Sequence, residues 1–188
     1  MYKMPAVIFA GGKSSRMGED KSQLAFAGYD SLSEYQYRRL NQLFEKVYLS
    51  AKSDKFDFQC EIIPDNYDVH SPLAALISVF ENLDASEVFI LSVDAPFVDK
   101  SVIERLMKEE RKGYDIVVAE SPHGAEPLCG IYKCSILPEA KRMLEKEEHR
   151  LTMLLENMQT KRVRFQTKAP FLNLNRPEEY QEALRRLR

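Results

Sequence analysis

Val7-Ile8-Phe9-Ala10-Gly11-Gly12-Lys13-Ser14-Ser15-Arg16-Met17-Gly18-Glu19-Asp20-Lys21 runs from a short apolar stretch into a loop with paired glycines and three cations. A buried strand opening into such a loop is what a phosphate-binding turn needs. Glycine lets backbone N–H groups approach phosphate oxygens closely, and Arg and Lys neutralise their charge. A helix is expected after the loop, its N-terminus adding to the anion preference. The alternative is a merely solvated Gly/Ser/Lys loop, and such loops rarely follow a buried strand. The Walker A spacing fails, because Gly12 and Gly18 are too far apart and Lys21 does not follow Gly18 directly. The dinucleotide pattern G-x-G-x-x-G fails as well. What stands here is G-G-x-S-x-R-M-G-x-D-K.

Composition narrows the partners. A length of 188 residues suits one domain, residues 1–188, with a substantial core. Apolar residues at 44% and charged residues at 30% are ordinary for a globular chain. The net charge of −2 provides no basic field, so nucleic acid is not an expected partner and phosphate affinity must be local. No apolar run approaches the roughly 18 residues of a membrane span, and no signal-peptide pattern is visible. Cys60, Cys129 and Cys134 are odd in number and lack C-x-x-C spacing, which argues for a reducing cytoplasm and against disulfides or zinc. His70, His123 and His149 are far apart in sequence and read as surface or loop residues. The end Arg185-Arg186-Leu187-Arg188 reads as a helix C-terminus complementing its dipole.

Strand-like and helix-like segments alternate along the chain. Strands are expected at Met4 to Phe9, Val47 to Leu49, Cys60 to Ile63, Val88 to Val93, Tyr114 to Ala119, Leu128 to Tyr132 and Val163 to Phe165. Leu32, Tyr35, Leu40 and Leu43 fit one helical face. Ser71-Pro72 is a helix start, Ser as N-cap and Pro at the first turn. Asp99 can cap the helix bearing Val102, Ile103, Leu106 and Met107. Further helices are expected at Leu137 to Lys146, at Leu151 to Met158, and from Pro177 with Tyr180, Ala183, Leu184 and Leu187 inward. Val88-Phe89-Ile90-Leu91 lacks alternation, as in a strand covered on both faces. The expected fold class is α/β, a three-layer α/β/α sandwich around a mostly parallel sheet.

Ligands in such sheets bind beyond the carboxyl ends of the strands. Asp94 follows the most apolar strand, and Asp65 follows the third. Each reads either as a turn residue or as a ligand-binding carboxylate. The Gly-Gly loop upstream favours the second reading for Asp94, as a magnesium ligand shared with nucleotide phosphates. Lys21 can reach phosphates as a point charge, and Arg16 can hold two oxygens with its fork. Lys13 reads as a less certain ligand or a solvated side chain. Asn173 and Asn175 can hydrogen-bond the polar edge of a ligand or a phosphate, or serve as turn and cap residues. The stretch from Pro122 to Glu126, with His-Gly between two strands, is expected to be a mobile flap.

The G-G-x-S-x-R-M-G-x-D-K loop resembles the opening of the molybdenum cofactor guanylyltransferases, the MobA family of Rossmann-like nucleotidyltransferases of the nucleotide-diphospho-sugar transferase type. Later blocks match in order: Ser71-Pro72-Leu73 for a Gly-Pro-Leu, Glu126-Pro127-Leu128 for a Gln-Pro-Leu, and Asn173-Leu174-Asn175-Arg176-Pro177-Glu178-Glu179 for an N-x-N-T-P-E-E. The resemblance implies GTP binding by Phe9, Ala10, Gly11 and Gly12 through the backbone, by Lys21, and by Asp65 and Asp94. It implies Mg2+ on Asp94, catalytic roles for Lys21, Arg16 and Asp94, and molybdopterin contact at Asn173 and Asn175. The expected reaction is GMP transfer from GTP to molybdopterin with release of pyrophosphate, in the cytoplasm, with transient contact to cofactor-biosynthesis proteins and target molybdoenzymes. Departures stand at Ser50 (usually Asn), Ser71, Glu126 and Arg176. The alternatives are a transferase using CTP or another acceptor phosphate, and a GTP-binding relative without turnover.

Overall fold

The computed structural model describes residues 1–11 and 20–187. Chain order gives β1 (Ala6–Phe9), α1 (Leu32–Leu40), β2 (Val47–Ala51), β3 (Glu61–Pro64), α2 (Pro72–Asn82), β4 (Glu87–Ser92) and α3 (Lys100–Lys108). Then come β5 (Ile116–Ser121), β6 (Gly124–Lys133), α4 (Leu137–Glu145), α5 (Leu151–Asn157), β7 (Thr160–Arg164) and α6 (Pro177–Arg186). The seven strands form one sheet in the order β3-β2-β1-β4-β6-β5-β7. All pairings are parallel except those of β6, which runs antiparallel to β4 and to β5.

Two apolar layers make this a three-layer sandwich. Successive strand side chains face opposite sides, so Ala6, Ile8, Phe89 and Leu91 join α1, α3 and α6 in one core. Val7, Phe9, Val88 and Ile90 join α2, α4 and α5 in the other. β1 and β4 are therefore apolar at every central position, the pattern expected of strands covered on both faces. Each fully buried Leu, Ile or Phe contributes about 1.5–3 kcal/mol by leaving water, and Phe44 stacks on Phe89 at 5.2 Å between ring centroids.

Local chemistry sets most helix starts. Ser71 Oγ accepts from the Leu73 and Ala74 N–H groups with Pro72 at the first turn, and Asp99 accepts from Val102. Three expectations change. Among the described residues, a single 3₁₀ turn, Lys21–Gln23, follows the loop, and the next α-helix begins at Leu32. A tight reversal intervenes: Phe26 pairs with Tyr29 across Ala27 and Gly28, both at positive φ (52° and 83°), which no helix can accommodate. The stretch from Pro122 to Glu126 is not an open loop but the paired tip of a hairpin, with Ser121 opposite Gly124 and Ala119 opposite Glu126. Leu187 is 43% exposed rather than inward, because α6 ends at Arg186 and Leu187 is its C-cap. No described helix is long and apolar enough to cross a membrane.

One glycine carries the sheet's irregularity. The β5–β6 register shifts between Val118 and Ala119, and Gly130 lies opposite Val118. A Cβ at Gly130 would stand 2.5 Å from the Val117 carbonyl oxygen and 2.9 Å from the Val118 Cα, both backbone atoms that cannot step aside. Gly130→Ala is therefore expected to destabilise by about 2 kcal/mol, lowering the melting temperature by roughly 4–8 °C in a chain of this size. A thermal scan showing an unchanged midpoint would contradict the clash.

Candidate active site

The chain leaves β1, builds β2 and β3 on one side, then crosses back to place β4 on the other side. A crevice opens at such a switch point, beyond the strand carboxyl ends. Phe9 is level with Ser50 on β2 and Ser92 on β4. β6 enters from the opposite direction, so its first residues overhang the same crevice, with Cys129 opposite Leu91.

Two cavities occupy the crevice. The first, about 230 Å³, lies over the ends of β1, β2 and β3 and the start of α2, with Phe9, Gly11, Ser50, Asp65 and Ser71 in its wall. The second, about 450 Å³, lies over β4 and the start of β6, with Asp94, Glu126, His149, Arg150, Asn173 and Asn175. Pro72, Ser92 and Leu128 line both, so the two cavities adjoin, and Asp94 stands two residues from that shared wall.

Asp94 is the hub of the polar contacts. Its Oδ1 accepts the Ser92 hydroxyl at 2.6 Å, and its Oδ2 is 3.5 Å from Lys21 Nζ. Lys21 Nζ also donates to Asn175 Oδ1 at 2.7 Å. The Leu174 N–H donates to the Asp94 carbonyl at 2.9 Å, which ties the segment before α6 to the end of β4. Lys21, Asp94 and Asn175 thus meet although they come from three distant segments. The side chains of Lys21 and Asp94 are 17% and 19% exposed, so their charges are only partly screened yet open to a ligand.

The first cavity holds a second carboxylate. Asp65 Oδ1 accepts the Ser78 hydroxyl and the Tyr67 N–H, each at 3.2 Å. The loop's flanks are tied by Lys55, whose ammonium donates to the Ala10 carbonyl at 3.1 Å and pairs with Asp20 at 2.5 Å. Burial raises the Asp20 pKa, but Lys55 and two hydrogen bonds from Ser22 outweigh it and hold the group below its usual value.

Residues 6–163 match the family model described as the MobA-like NTP transferase domain. The chain belongs to this family. A molybdenum cofactor guanylyltransferase of Campylobacter jejuni is 38% identical over 190 residues, covering 100% of this chain and 99% of the relative. One of Helicobacter pylori is 31% identical, covering 98% and 94%. The crystal structure of molybdopterin-guanine dinucleotide biosynthesis protein A from Archaeoglobus fulgidus superposes with a TM-score of 0.83 at 19% identity, 97% of each chain covered. A CMP:2-keto-3-deoxy-manno-octonic acid synthetase complexed with CTP gives 0.80 at 15% identity, covering 99% and 98%. At those identities the structural likeness is one of fold, the nucleotide-diphospho-sugar transferase type.

Within this family frame the sequence-predicted residues divide. Phe9, Gly11 and Asp65 line the first cavity, and Asp94, Asn173 and Asn175 the second. The Ala10 N–H already donates to the Ser50 carbonyl. Gly12, Lys13 and Arg16 lie outside the described residues. Ser71 uses its hydroxyl to cap α2, so that oxygen stands where an anion would meet the helix end. Arg176 is exposed as the N-cap of α6, its N–H held by Glu179 at 2.9 Å.

Sequence reading gave no role to Ser92 or Lys55, and two histidines it read as surface or loop residues do lie in loops but also line the cavities. His70 lines the first cavity and His149 the second. The Nδ1 of His149 is buried with no hydrogen-bond partner among the described residues. The Ser two positions before Asp94 was the one readable signal, since Ser and Asp at that spacing can bond each other.

Glu126 is the unusual carboxyl of the second cavity. Burial pushes its pKa above the usual carboxylate value, and Ser121 and His123 offset this only in part. A raised carboxyl pKa in the folded state means full stability below the unfolded value and a loss as pH rises through the folded one. Glu126→Gln is thus expected to melt higher than the wild type at pH 8, with the gap closing toward pH 4. Equal midpoints across that range would show that burial imposes no charge penalty here.

Proposed function

We propose that this chain, acting over residues 1–188 as one nucleotidyltransferase domain, transfers GMP from GTP to molybdopterin and releases pyrophosphate. The observation that carries this reading is the pair of adjoining cavities with Asp94 beside their shared wall, in a chain of which two curated guanylyltransferases are full-length relatives. GTP would take the first cavity, its phosphates reaching across Gly11 toward Lys21. The acceptor would take the second, with Asn173 and Asn175 against its pterin or phosphate.

The reaction asks for positioning and charge neutralisation more than for covalent chemistry. A terminal phosphate oxygen of the acceptor forms a bond to the α-phosphorus of GTP as the bond from that phosphorus to the bridging oxygen of pyrophosphate breaks. The nucleophile is already ionised, so no general base is needed. Lys21 is poised to exchange its Asp94 and Asn175 contacts for phosphate oxygens, and Arg16 is assigned to the same charge from the loop. Lys55 keeps the flanks of that loop together through Ala10 and Asp20.

The residues fit a divalent ion such as Mg2+. Among the described residues, no group of three or more His, Cys, Asp or Glu gathers to hold a metal alone. Mg2+ suits one or two carboxylates completed by substrate phosphates and water, and Asp94 is the carboxylate at the right place. When bound, the ion would neutralise phosphate charge during transfer. Three free thiols suit the reducing cytoplasm.

Glycine at position 11 supports the nucleotide reading. Among the described residues, a Cβ there would meet the Ser50 oxygen at 3.8 Å and the Ala51 Cα at 3.9 Å, ordinary contacts. A glycine here lets a ligand approach the backbone closely, in keeping with the nucleotide reading. Gly11→Ala is expected to keep its stability within about 0.5 kcal/mol of the wild type, yet to lose most of its stabilisation by GTP. Equal GTP stabilisation of the two proteins would remove Gly11 from the site.

The decisive assay is pyrophosphate release from GTP with Mg2+ and molybdopterin. Asp94→Ala should lower it about 100-fold or more with the circular dichroism spectrum unchanged. A folded Asp94→Ala protein of full activity would sink the mechanism. Faster turnover of CTP than GTP by the wild type would move the chain to another branch of the family.

A further inference from the structure

Gln36 lies on the core face of α1 with none of its surface exposed. Burying an amide among apolar side chains is costly unless its polar atoms are bonded. Here both ends are. The Nε2 donates to the Val93 carbonyl at 3.2 Å and to the Ser92 carbonyl at 3.4 Å. The Oε1 accepts from Arg39, one turn along α1. The orientation of the amide is forced, since carbonyls only accept and a guanidinium only donates. Arg39 in turn donates to the Val98 carbonyl and stacks over the Tyr35 ring, 5.4 Å from its centroid.

These bonds grip the segment that carries Asp94. Gln36 holds its start, at Ser92 and Val93, and Arg39 holds its end, at Val98. Main-chain bonds hold it too, the Val93 N–H on the Phe9 carbonyl at 3.1 Å, the Ala95 N–H on the Ser92 carbonyl at 3.3 Å and the Leu174 N–H on the Asp94 carbonyl, while the Ser92 hydroxyl and Lys21 contact the carboxylate itself. The Gln36 amide is a side-chain restraint acting directly on the two residues before Asp94.

We infer that Gln36 is a positioning residue for Asp94: through the Ser92 and Val93 carbonyls it aims the carboxylate that binds the metal–nucleotide complex. The inference rests on the proposed guanylyl transfer. A displacement of about 1 Å at a catalytic group can slow a reaction on the order of 100-fold, while the substrate pocket itself remains intact. Gln36 therefore acts on turnover and on metal affinity, and hardly on the affinity for metal-free nucleotide.

The full-length wild type is compared with Gln36→Leu, which removes both ends of the amide, and Gln36→Glu, which keeps a partner for Arg39 but no donor for the two carbonyls. Circular dichroism and the melting temperature establish which variants fold; Gln36→Glu carries the test where Gln36→Leu does not. The readouts are kcat and KM for GTP in pyrophosphate release, and Mn2+ affinity of the protein–GTP complex from the electron paramagnetic resonance signal of the free ion. Expected are a kcat at least ten-fold lower, a several-fold loss of Mn2+ affinity, and a rise in GTP KM no larger than that loss. A folded variant with wild-type kcat and Mn2+ affinity overturns the positioning role and leaves Gln36 a structural hydrogen bond. A wild type that neither binds Mn2+ with GTP nor releases pyrophosphate overturns the proposed function instead, and the inference with it.

Discussion

β1 is buried on both faces and hydrogen-bonded along both edges, and its last residue, Phe9, is level with Ser50 on one neighbour and Ser92 on the other. Every chemical group of the site is placed relative to this strand. Its carboxyl end opens the glycine loop, and the strands beside it end in the first cavity and at Asp94. A one-residue slip would turn Ile8 and Phe9 to opposite faces and exchange their two cores. The apolar packing that resists such a slip is therefore also what holds the distance from loop to carboxylate.

The reversed strand makes a second contribution. Had β6 run parallel to β4, its start would lie at the opposite, amino end of the strands. Running antiparallel, it delivers Glu126-Pro127-Leu128 to the crevice, and the register shift beside Gly130 lets the long hairpin bend there. Leu128 consequently lines both cavities, and Glu126 is half-buried against the larger one. The residues of this hairpin pair with β5 almost to the turn, where Gly124 takes φ of 125°.

Several polar side chains bond to the backbone around the site. Lys55 joins Ala10 to Asp20 across the glycine loop. Gln36 and Arg39 clasp the segment on either side of Asp94. Glu179 takes the N–H groups of Asn175 and Arg176, so the residue that Lys21 contacts is fixed by the start of α6. Buried polar groups stay where they can be satisfied, and Gln36, fully buried, is satisfied by the backbone beside Asp94.

The sequence alone determined what depends on near neighbours. The unalternating run of Val88 to Leu91, the Ser71-Pro72 and Asp99 helix starts, and the glycine loop after an apolar strand are legible because caps, periodicity and turn chemistry act over a few residues. The fold class followed from their alternation, and Asp94 and Asp65 from their places at strand ends. The reversal at Ala27-Gly28 went unread because positive φ at alanine has no sequence signature. Only the tertiary structure decided that β6 runs backwards, that Lys21 meets Asp94 and Asn175 across 73 and 154 residues, that His70 and His149 face cavities, and that a buried glutamine holds the carbonyls before Asp94. Those contacts follow from strand order and packing, and their energy is realised only when distant segments are brought together by the core.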